Sequence, residues 1–366
     1  MLKIREIISS IEDFSPLSLQ EDWDNSGLQI GNTNDEADSA LITLDVTEEV
    51  IDEAILHGEK LIISHHPLIF SGLKSITGKS SVERIIFKAI KNNIAIYSAH
   101  TNLDFAKGGV SWKMAEMLGL QEISTLLPLK GILKKIVTYV PVDHINQVRS
   151  AIFSAGGGSI GNYDLCSFNV EGTGTFRGNE TTNPFVGVAG TEHHEKEIRT
   201  EIVFPSFAQG NIISALLKAH PYEEVAYDIY PVENTHSCIG LGVVGFLKEE
   251  TDAEIFLNYL KSVFKCDAIK YSGNIDKKIK KAALCGGSGS SLLKQAIASK
   301  ADVFVTGDFK YHQYFESENK IIVADIGHFE SEQFTKELFY EIVTNKFSKF
   351  ALRLSEVQTN PVKFLF

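Results

Sequence analysis

Two adjacent histidines, His65 and His66, lie in the apolar stretch LIISHHPLIF. An unpaired imidazole is costly to bury, so a pair in such a stretch calls for partners. Pro67 disfavours continuation of a strand, and both side chains can serve one site only where the strand ends. Most histidines are not ligands, so the pair alone is also compatible with two capped or solvent-facing side chains.

Other segments carry further ligand-type side chains. DIGHFESEQF sets His328 and Glu332 four positions apart at the start of a predicted helix, a spacing that places both on one helix face. SAHTNLDFAKGG supplies Asp104 after another predicted strand, with His100 beside it. The proposed ligands are His65, His66, Asp104, His328 and Glu332. Three imidazoles and two carboxylates suit zinc, manganese, iron or cobalt and do not suit copper(I). Because this set exceeds the needs of one tetrahedral ion, it predicts two divalent ions that share a bridging carboxylate and water.

Three motifs offer less specific signals. TGDFKYH places Asp308 and His312 four apart after a predicted strand, which fits proton transfer or substrate contact, or helix capping by Asp308. CGGSGSS is either an anion cradle at a helix start or a tight packing turn. WDNSGLQIG is typical of a loop in which Asp24 or Asn25 makes a polar contact.

Alternating strands and helices predict an α/β fold, with a parallel or mixed sheet flanked by helices. The predicted strands and helices are strand 37–47, helix 48–58, strand 60–66, a helix and strand ending near 104, and helices 251–264, 291–299 and 330–346. In such sheets ligands gather at the carboxyl ends of the strands. Asp45 and His100 are predicted at those ends, as are three of the proposed ligands.

The pattern changes between residues 129 and 236, where short strands, two helices and a glycine-rich turn predict a compact α+β unit. The predicted domains are therefore 1–128 with 237–366, interrupted by an insert at 129–236. Every proposed metal ligand lies outside the insert.

Composition restricts the class of protein. The chain has 366 residues and a formal net charge of −12, which argues against a main role in holding nucleic acid or an anionic membrane. Its four cysteines have no ligand spacing, and no apolar run is long enough to span a bilayer. The first residues resemble an amphipathic helix and not a signal peptide, so a cytoplasmic location is expected.

Taken in order, WDNSGLQIG, ISHHPLIF, SAHTNLD, GGSGSS, VFVTGDFKYH and DIGHFESE resemble the NIF-three-like (Ngg-interacting-factor-three) family. Its members are known as GTP cyclohydrolase I type 2 homologues. The resemblance implies a dinuclear metal protein, with the same five ligands, assembled as a toroidal homohexamer. HPYEEVAYDIYPV (220–232) is similar to a signature of the PII and CutA folds, which implies a PII/CutA-like insert.

The expected function is metal-dependent hydrolysis of GTP cyclohydrolase type on a nucleotide or related small molecule. In that case Asp308 or His312 would transfer protons. The alternative is a metal-dependent binding or regulatory ring without turnover. Zinc, manganese and iron all suit the ligands, so the sequence does not choose among them.

Overall fold

The structure, a computed structural model, describes residues 1–365. Its chain forms two compact units, Pro128–Ser237 and a unit made of Met1–Leu127 with the segment that begins at Cys238. Up to residue 128 the elements are β1 (Leu2–Lys3), α1 (Ile4–Phe14), β2 (Gly27–Ile30), β3 (Glu36–Ala37), β4 (Ser39–Thr43), α2 (Glu48–His57), β5 (Leu61–Ser64), α3 (Ser81–Lys91), β6 (Ala95–Ser98), α4 (Thr101–Phe105), α5 (Val110–Met117) and β7 (Gln121–Pro128). The following elements are β8 (Leu133–Pro141), α6 (Ile145–Ser154), β9 (Phe168–Phe176), β10 (His193–Pro205), α7 (Gln209–Ala219) and β11 (Tyr227–Val232). The last are β12 (Gly240–Asp252), α8 (Ala253–Phe264), β13 (Lys270–Ser272), β14 (Lys278–Ser288), α9 (Leu293–Ala298), β15 (Val303–Gly307), α10 (Tyr311–Phe315), β16 (Ile322–Asp325), α11 (His328–Glu332), α12 (Thr335–Lys346) and β17 (Ala351–Leu354).

Two sheets organise the larger unit. One has the strand order β17-β4-β5-β6-β2, in which β17, β4, β5 and β6 run parallel and β2 is antiparallel to β6. The other has the order β13-β16-β15-β14-β12-β7, with a parallel centre of β16, β15 and β14. The mixed α/β class expected from the sequence is therefore confirmed.

Apolar side chains fill the space between and around these sheets. A central core joins residues of both sheets with α1, α5, α8 and α12. The outer face of the first sheet is covered by α2 and α3, and that of the second by α9. Because both faces of each parallel region are covered, its strands are continuous apolar runs such as LIIS in β5, buried at every position.

Local signals define several helix boundaries. The Thr47 and Ser80 hydroxyls accept hydrogen bonds from the backbone at the starts of α2 and α3. At the end of α2, Gly58 adopts the left-handed conformation, with φ of 81°. The predicted helix 48–58 is thus matched within one residue.

The single helix predicted over 330–346 was wrong, because the chain forms α11 and α12 with a break between them. At the break Phe334 packs into the core against Phe264, with ring centroids 6.3 Å apart. The side chain of Gln333 also donates to the Phe264 carbonyl oxygen. These tertiary contacts turn the chain, although the apolar spacing continues through it.

The smaller unit has the element order β8, α6, β9, β10, α7, β11 and a sheet of order β11-β8-β10-β9. All of its strand pairs are antiparallel. Its core, which includes Ile136, Val148, Ile202 and Ile212, lies between the sheet and the two helices. The likeness of this unit to PII and CutA stays a prediction.

Within residues 1–365, no helix has the length and apolar character needed to cross a bilayer.

Candidate metal centre

The side chains of the candidate site come from the carboxyl ends of strands in both sheets of the larger unit. His65 and His66 directly follow β5, and Asp104 lies on α4, just beyond β6. His328 and Glu332 are the first and last residues of α11, which follows β16. Ligands of parallel sheets bind at this edge, so the topology collects residues from distant parts of the chain at one place.

The Glu332 carboxylate lies at the centre of the cluster and is only 3% exposed. The measured separations are 3.0 Å from its Oε2 to His66 Nε2, 3.1 Å from Oε2 to His328 Nε2, 3.7 Å from Oε1 to His65 Nε2, and 3.9 Å from His65 Nε2 to Asp104 Oδ1. One carboxylate oxygen therefore faces His66 and His328, and the other faces His65. Two of the groups of residues that could hold a metal ion include Glu332, one with His66 and His328 and one with His65 and Asp104.

Each histidine at the site has its Nδ1 atom held by an oxygen atom. The four contacts are His65 Nδ1 to the Ala99 carbonyl (2.8 Å), His66 Nδ1 to Asp45 Oδ1 (2.7 Å), His100 Nδ1 to Asp24 Oδ1 (2.8 Å) and His328 Nδ1 to Asp308 Oδ2 (2.7 Å). An Nδ1–H donated in this way leaves Nε2 to face the cluster as a potential ligand atom. Metal-binding histidines are oriented by such partners in most metalloproteins.

Among residues 1–365, two buried atoms of the cluster lack a hydrogen-bond partner, namely His65 Nε2 and Asp104 Oδ1. They face each other at 3.9 Å, which is too long for a hydrogen bond. The Nε2 atoms of His66 and His328 also face each other, at 3.3 Å. Unsatisfied buried polar atoms are costly, and a cation between these donor atoms would satisfy them. The residues present therefore fit a metal ion.

Electrostatics at the site also favour a bound cation. Burial lowers the pKa of His66, but hydrogen bonds to Asp45 and Glu332 outweigh it and raise the pKa to about 9. Burial likewise lowers the pKa of His328, yet Asp308 and Glu332 raise it to about 11. Without a metal, both imidazoles are therefore protonated on both nitrogens and positively charged at neutral pH. Metal binding would replace those protons as the positive charge beside Glu332.

The pKa values in the group of His65, Asp104 and Glu332 are shifted in other directions. Burial lowers the pKa of His65, so this imidazole stays neutral and can act as a ligand. Burial and the nearby charge of Glu332 raise the pKa of Asp104 well above its ordinary value. Burial opposes ionisation of Glu332, but hydrogen bonds from His328 and His66 hold its pKa well below the ordinary value. Two carboxylates this close need a positive partner to ionise together.

The CGGSGSS motif serves the site through close packing. Gly287 has φ of 58°, and a Cβ atom there would overlap Glu332 Oε1. At Gly286 a Cβ atom would meet the Val110 side chain at 2.5 Å. Since most of the motif lies in β14 and in a following 3₁₀ turn, the packing-turn interpretation has direct support. These glycines let the strand approach the buried carboxylate.

A cavity of about 1100 Å³ opens beside the cluster and is lined by His66, Asp104, His328 and Glu332. Trp23 and Phe70 also line it, with ring centroids 5.7 Å apart and more than half of each residue exposed. Their exposure leaves an aromatic surface beside the potential ligand atoms. The volume is slightly above the roughly 300–1,000 Å³ that is typical of small-molecule sites.

The WDNSGLQIG motif supports this wall. The Asp24 carboxylate accepts hydrogen bonds from the Thr101 backbone and hydroxyl, in addition to its contact with His100. The Asn25 side chain donates to the Ile69 carbonyl oxygen, which ties the loop to the residue before Phe70. The polar contact expected from this loop is therefore made by both residues.

The five proposed ligands all meet in the cluster, whereas the two predicted catalytic residues differ in placement. Asp308 lines the cavity and holds His328. His312 is exposed on α10, its ring lies 5.2 Å from that of Tyr311, and it is not among the described residues that line the cavity. α10 begins only at Tyr311, and its Tyr314 packs against the core on the α9 face of the second sheet. A catalytic role for His312 stays a prediction without a contact to support it.

The sequence patterns predicted no role for Asp45 or His100. Asp45 lies two residues beyond the end of β4, at an edge where polar side chains gather, and this was the available signal. His100 could hold a metal together with His65 and His66, since their ligand atoms lie within 4.8 Å of one another. Its pairing with Asp24 joins residues 76 positions apart and has no local signature.

Residues 2–361 match the protein family described as Duf34/NIF3 (NGG1p interacting factor 3). The chain belongs to the Duf34/NIF3 family. A Bacillus subtilis protein named GTP cyclohydrolase 1 type 2 homolog is 42% identical over 367 residues, covering 99% of this chain and 98% of the relative. A Halalkalibacterium halodurans protein of the same name is 40% identical over 364 residues, covering 98% of each.

Two solved structures have the same architecture as this chain. A Bacillus cereus protein related to NIF3 is 41% identical, with a TM-score of 0.88 and coverage of 100% of this chain and 99% of that one. A Staphylococcus aureus protein is 30% identical, with a TM-score of 0.77 and the same coverage. The family resemblance of the six motifs is therefore confirmed, and all three sequence segments that build the cluster lie within the Duf34/NIF3 match.

Proposed function

We propose that this Duf34/NIF3 protein is a metal-dependent hydrolase with two divalent ions per chain, acting on a nucleotide in the manner of a GTP cyclohydrolase. One observation carries the proposal. The two oxygens of Glu332 face different groups of potential ligands, His66 with His328 on one side and His65 with Asp104 on the other. A shared carboxylate of this kind suits a pair of ions.

The ligand atoms suit zinc, manganese or iron. His66 and His328 would hold one ion, His65 and Asp104 the other, and Glu332 both. When bound, divalent ions lower the pKa of a coordinated water and polarise a substrate, which is the chemistry that hydrolysis needs.

The protein's own residues would orient the histidine rings and bind the substrate. Asp45 and Asp308 fix the rings of His66 and His328 through their Nδ1 atoms. Trp23 and Phe70 offer aromatic surface on which a purine base can stack. Asp308 also lines the cavity, so it can contact the substrate or accept a proton from it.

The choice of GTP as first substrate rests on the name carried by the curated relatives, GTP cyclohydrolase 1 type 2 homolog. In such a reaction, water adds to C8 of the purine and the C8–N9 bond breaks, which gives a formamidopyrimidine. Hydrolysis of that formamide then releases formate. Formate is therefore the product to follow.

Metal-loaded protein should contain two ions per chain by elemental analysis and release formate from GTP with zinc, manganese or iron. Glu332→Gln should abolish both metal pairing and formate release, because it removes the shared anion. Glu337→Gln, on the exposed face of α12, is the matched control and should behave as wild type. Two ions per chain without formate above a chelated control would reject the GTP assignment.

His312→Ala tests the residue that the fold leaves outside the cavity. If His312 transfers protons, the variant keeps its metals and loses roughly a hundredfold in turnover. Turnover equal to wild type would remove it from the mechanism.

Assembly as a homohexameric ring is proposed together with this function, and sedimentation velocity tests it. A six-chain mass supports the ring, and a monomer excludes it. Should metal-loaded rings show no turnover on any nucleotide, binding or regulation without turnover becomes the function.

A further inference from the structure

The smaller unit contains a cavity of its own, of about 790 Å³. It lies on the face of the sheet that the helices leave open, because Ile202 faces the core and Glu197, an odd number of residues away on β10, faces the other side. On β9, Gly172 and Gly174 stand opposite Glu197 and Glu195. Two positions without side chains thus leave a hollow in the sheet surface, and this hollow is the floor of the cavity.

Glu197 is the most buried charged residue of the cavity lining, with 7% of its surface exposed. Its Oε1 accepts a hydrogen bond of 2.7 Å from the Tyr222 hydroxyl. A Cβ atom at Gly174 would overlap Oε2, so the carboxylate lies directly on the strand backbone. The glycine is therefore what makes room for this side chain.

This buried carboxylate has no cationic partner in the described chain. The neighbouring acids are paired, Glu195 with His193 at 2.9 Å and Glu201 with Lys135 at 2.9 Å, whereas among residues 1–365 no ion pair involves Glu197. A buried carboxylate without a cationic partner is costly, so a positively charged group bound in the cavity would stabilise it.

His220 lies close enough to interact electrostatically with the Glu197 carboxylate but does not neutralise it. Its Nε2 donates to the Tyr139 carbonyl oxygen at 2.9 Å, and its Nδ1 accepts from the Tyr222 backbone at 3.1 Å. One donor and one acceptor define a neutral imidazole. Burial also lowers the pKa of His220.

Aromatic rings form the walls around the carboxylate. The ring centroids of Phe176 and Tyr222 lie 5.9 Å apart, and those of Phe185 and Tyr222 lie 6.3 Å apart. Phe185 is 52% exposed, so its ring is open to a ligand. Aromatic faces attract organic cations, and a carboxylate at the floor adds a charge-assisted hydrogen bond.

The remaining charges agree with this ligand class. The charged residues that line the cavity are Glu171, Glu197, Glu223, Glu224, Arg177 and Arg199. Acids therefore outnumber bases two to one, and Arg199 is already paired with Glu201 at 2.8 Å. An anionic ligand would meet a net negative lining.

We propose that this cavity, here called the insert cavity, is a binding site for a small organic cation. The ammonium or amidinium group of the ligand lies against Glu197, and its carbon frame lies between Phe176, Tyr222 and Phe185. All residues that line this cavity belong to Pro128–Ser237, whereas the proposed metal ligands belong to the other unit.

Isothermal titration calorimetry on the full chain tests this with choline, agmatine and spermidine as probes. The uncharged control is 3,3-dimethyl-1-butanol, which has the shape of choline without its charge. At least one cation should bind, and choline should bind at least about tenfold more tightly than its isostere if the charge is recognised. Equal binding of choline and its isostere, or no binding of any cation at millimolar concentration, would overturn the proposal.

Two variants locate the binding. Glu197→Gln keeps the shape and an acceptor for Tyr222 but removes the charge, so affinity should fall by about tenfold or more. Gly172→Leu fills the hollow, where a Cβ atom meets nothing within 4 Å, and should abolish binding without disturbing the fold. Glu192→Gln, exposed and outside the cavity, is the matched control and should bind as wild type.

Circular dichroism spectra and melting temperatures must match wild type for the variants to count. Undiminished binding by folded Glu197→Gln and Gly172→Leu would place the cation elsewhere and refute the insert cavity as its site. If sedimentation shows that Gly172→Leu dissociates an oligomer while cations bind to neither protein, the cavity is a contact between copies of the chain, and the proposal is wrong.

Discussion

Gly287→Ala should empty the metal centre while leaving the protein folded. At this position φ is 58°, and an added Cβ atom would overlap Glu332 Oε1, well inside the 3.0 Å that real Cβ contacts essentially never cross. The carboxylate oxygen would have to retreat by about 1 Å to restore van der Waals contact. Glu332 cannot do so freely, because it is buried and contacts His66 and His328.

The size of the effect follows from two separate terms. An alanine in the left-handed region costs roughly 1–2 kcal/mol of folding stability. Metal ligands tolerate displacements of only about 0.2 Å, so a shift of about 1 Å should weaken metal binding by at least the 10- to 100-fold seen when an outer partner of a ligand is lost. The first term lowers the melting temperature, and the second lowers the metal content.

Gly119→Ala separates these terms. Gly119 has φ of 66°, and a Cβ atom there meets nothing within 4 Å, so the variant carries the backbone strain alone. Both variants should melt a few degrees below wild type when metal-free. Elemental analysis after dialysis against limiting metal should show wild-type content in Gly119→Ala and strong loss in Gly287→Ala. Equal metal content in the two variants would refute the role assigned to Gly287.

Further expectations concern the partners of the ligands, pH and the insert. Asp308→Ala should weaken metal binding by about 10- to 100-fold, since it frees the His328 ring. Asp308→Asn should weaken metal binding less, because the amide oxygen can still accept the hydrogen bond from His328. Competition with a chromophoric chelator measures the metal affinity of both variants. In the metal-free protein the pKa of His66 is raised to about 9 and that of His328 to about 11. The resulting stabilisation of the fold is fully present at pH values below about 6.5, the pKa of histidine in the unfolded chain. The His66 contribution is lost as pH rises to about 9 and the His328 contribution as pH rises to about 11. The melting temperature without metal should therefore fall by several degrees between pH 6.5 and 9.5; a flat profile would contradict the assigned pairs. Replacing residues 129–236 with a short Gly/Ser linker should leave a folded, metal-loaded protein, because the chain leaves and returns on the neighbouring strands β7 and β12; a soluble, folded deletion without metal would show that the insert shapes the site.

The sequence alone determined which side chains are potential metal ligands and the order of the elements that carry them. Apolar runs such as LIIS and the helix signals around Thr47 and Gly58 are local, so the alternation of strands and helices could be read from neighbouring residues. Because parallel strands place their carboxyl ends at one edge, that alternation was enough to bring His65 and Asp104 to the same place.

Tertiary structure decided how the site is assembled. His66 and Glu332 are 266 positions apart, and which carboxylate oxygen faces which imidazole depends on packing between two sheets. The same holds for the contact of His100 with Asp24, and for the break before α12, where Phe334 packs against Phe264. Local patterns do not encode such contacts, because their free energy comes from groups that become neighbours only after the chain has folded.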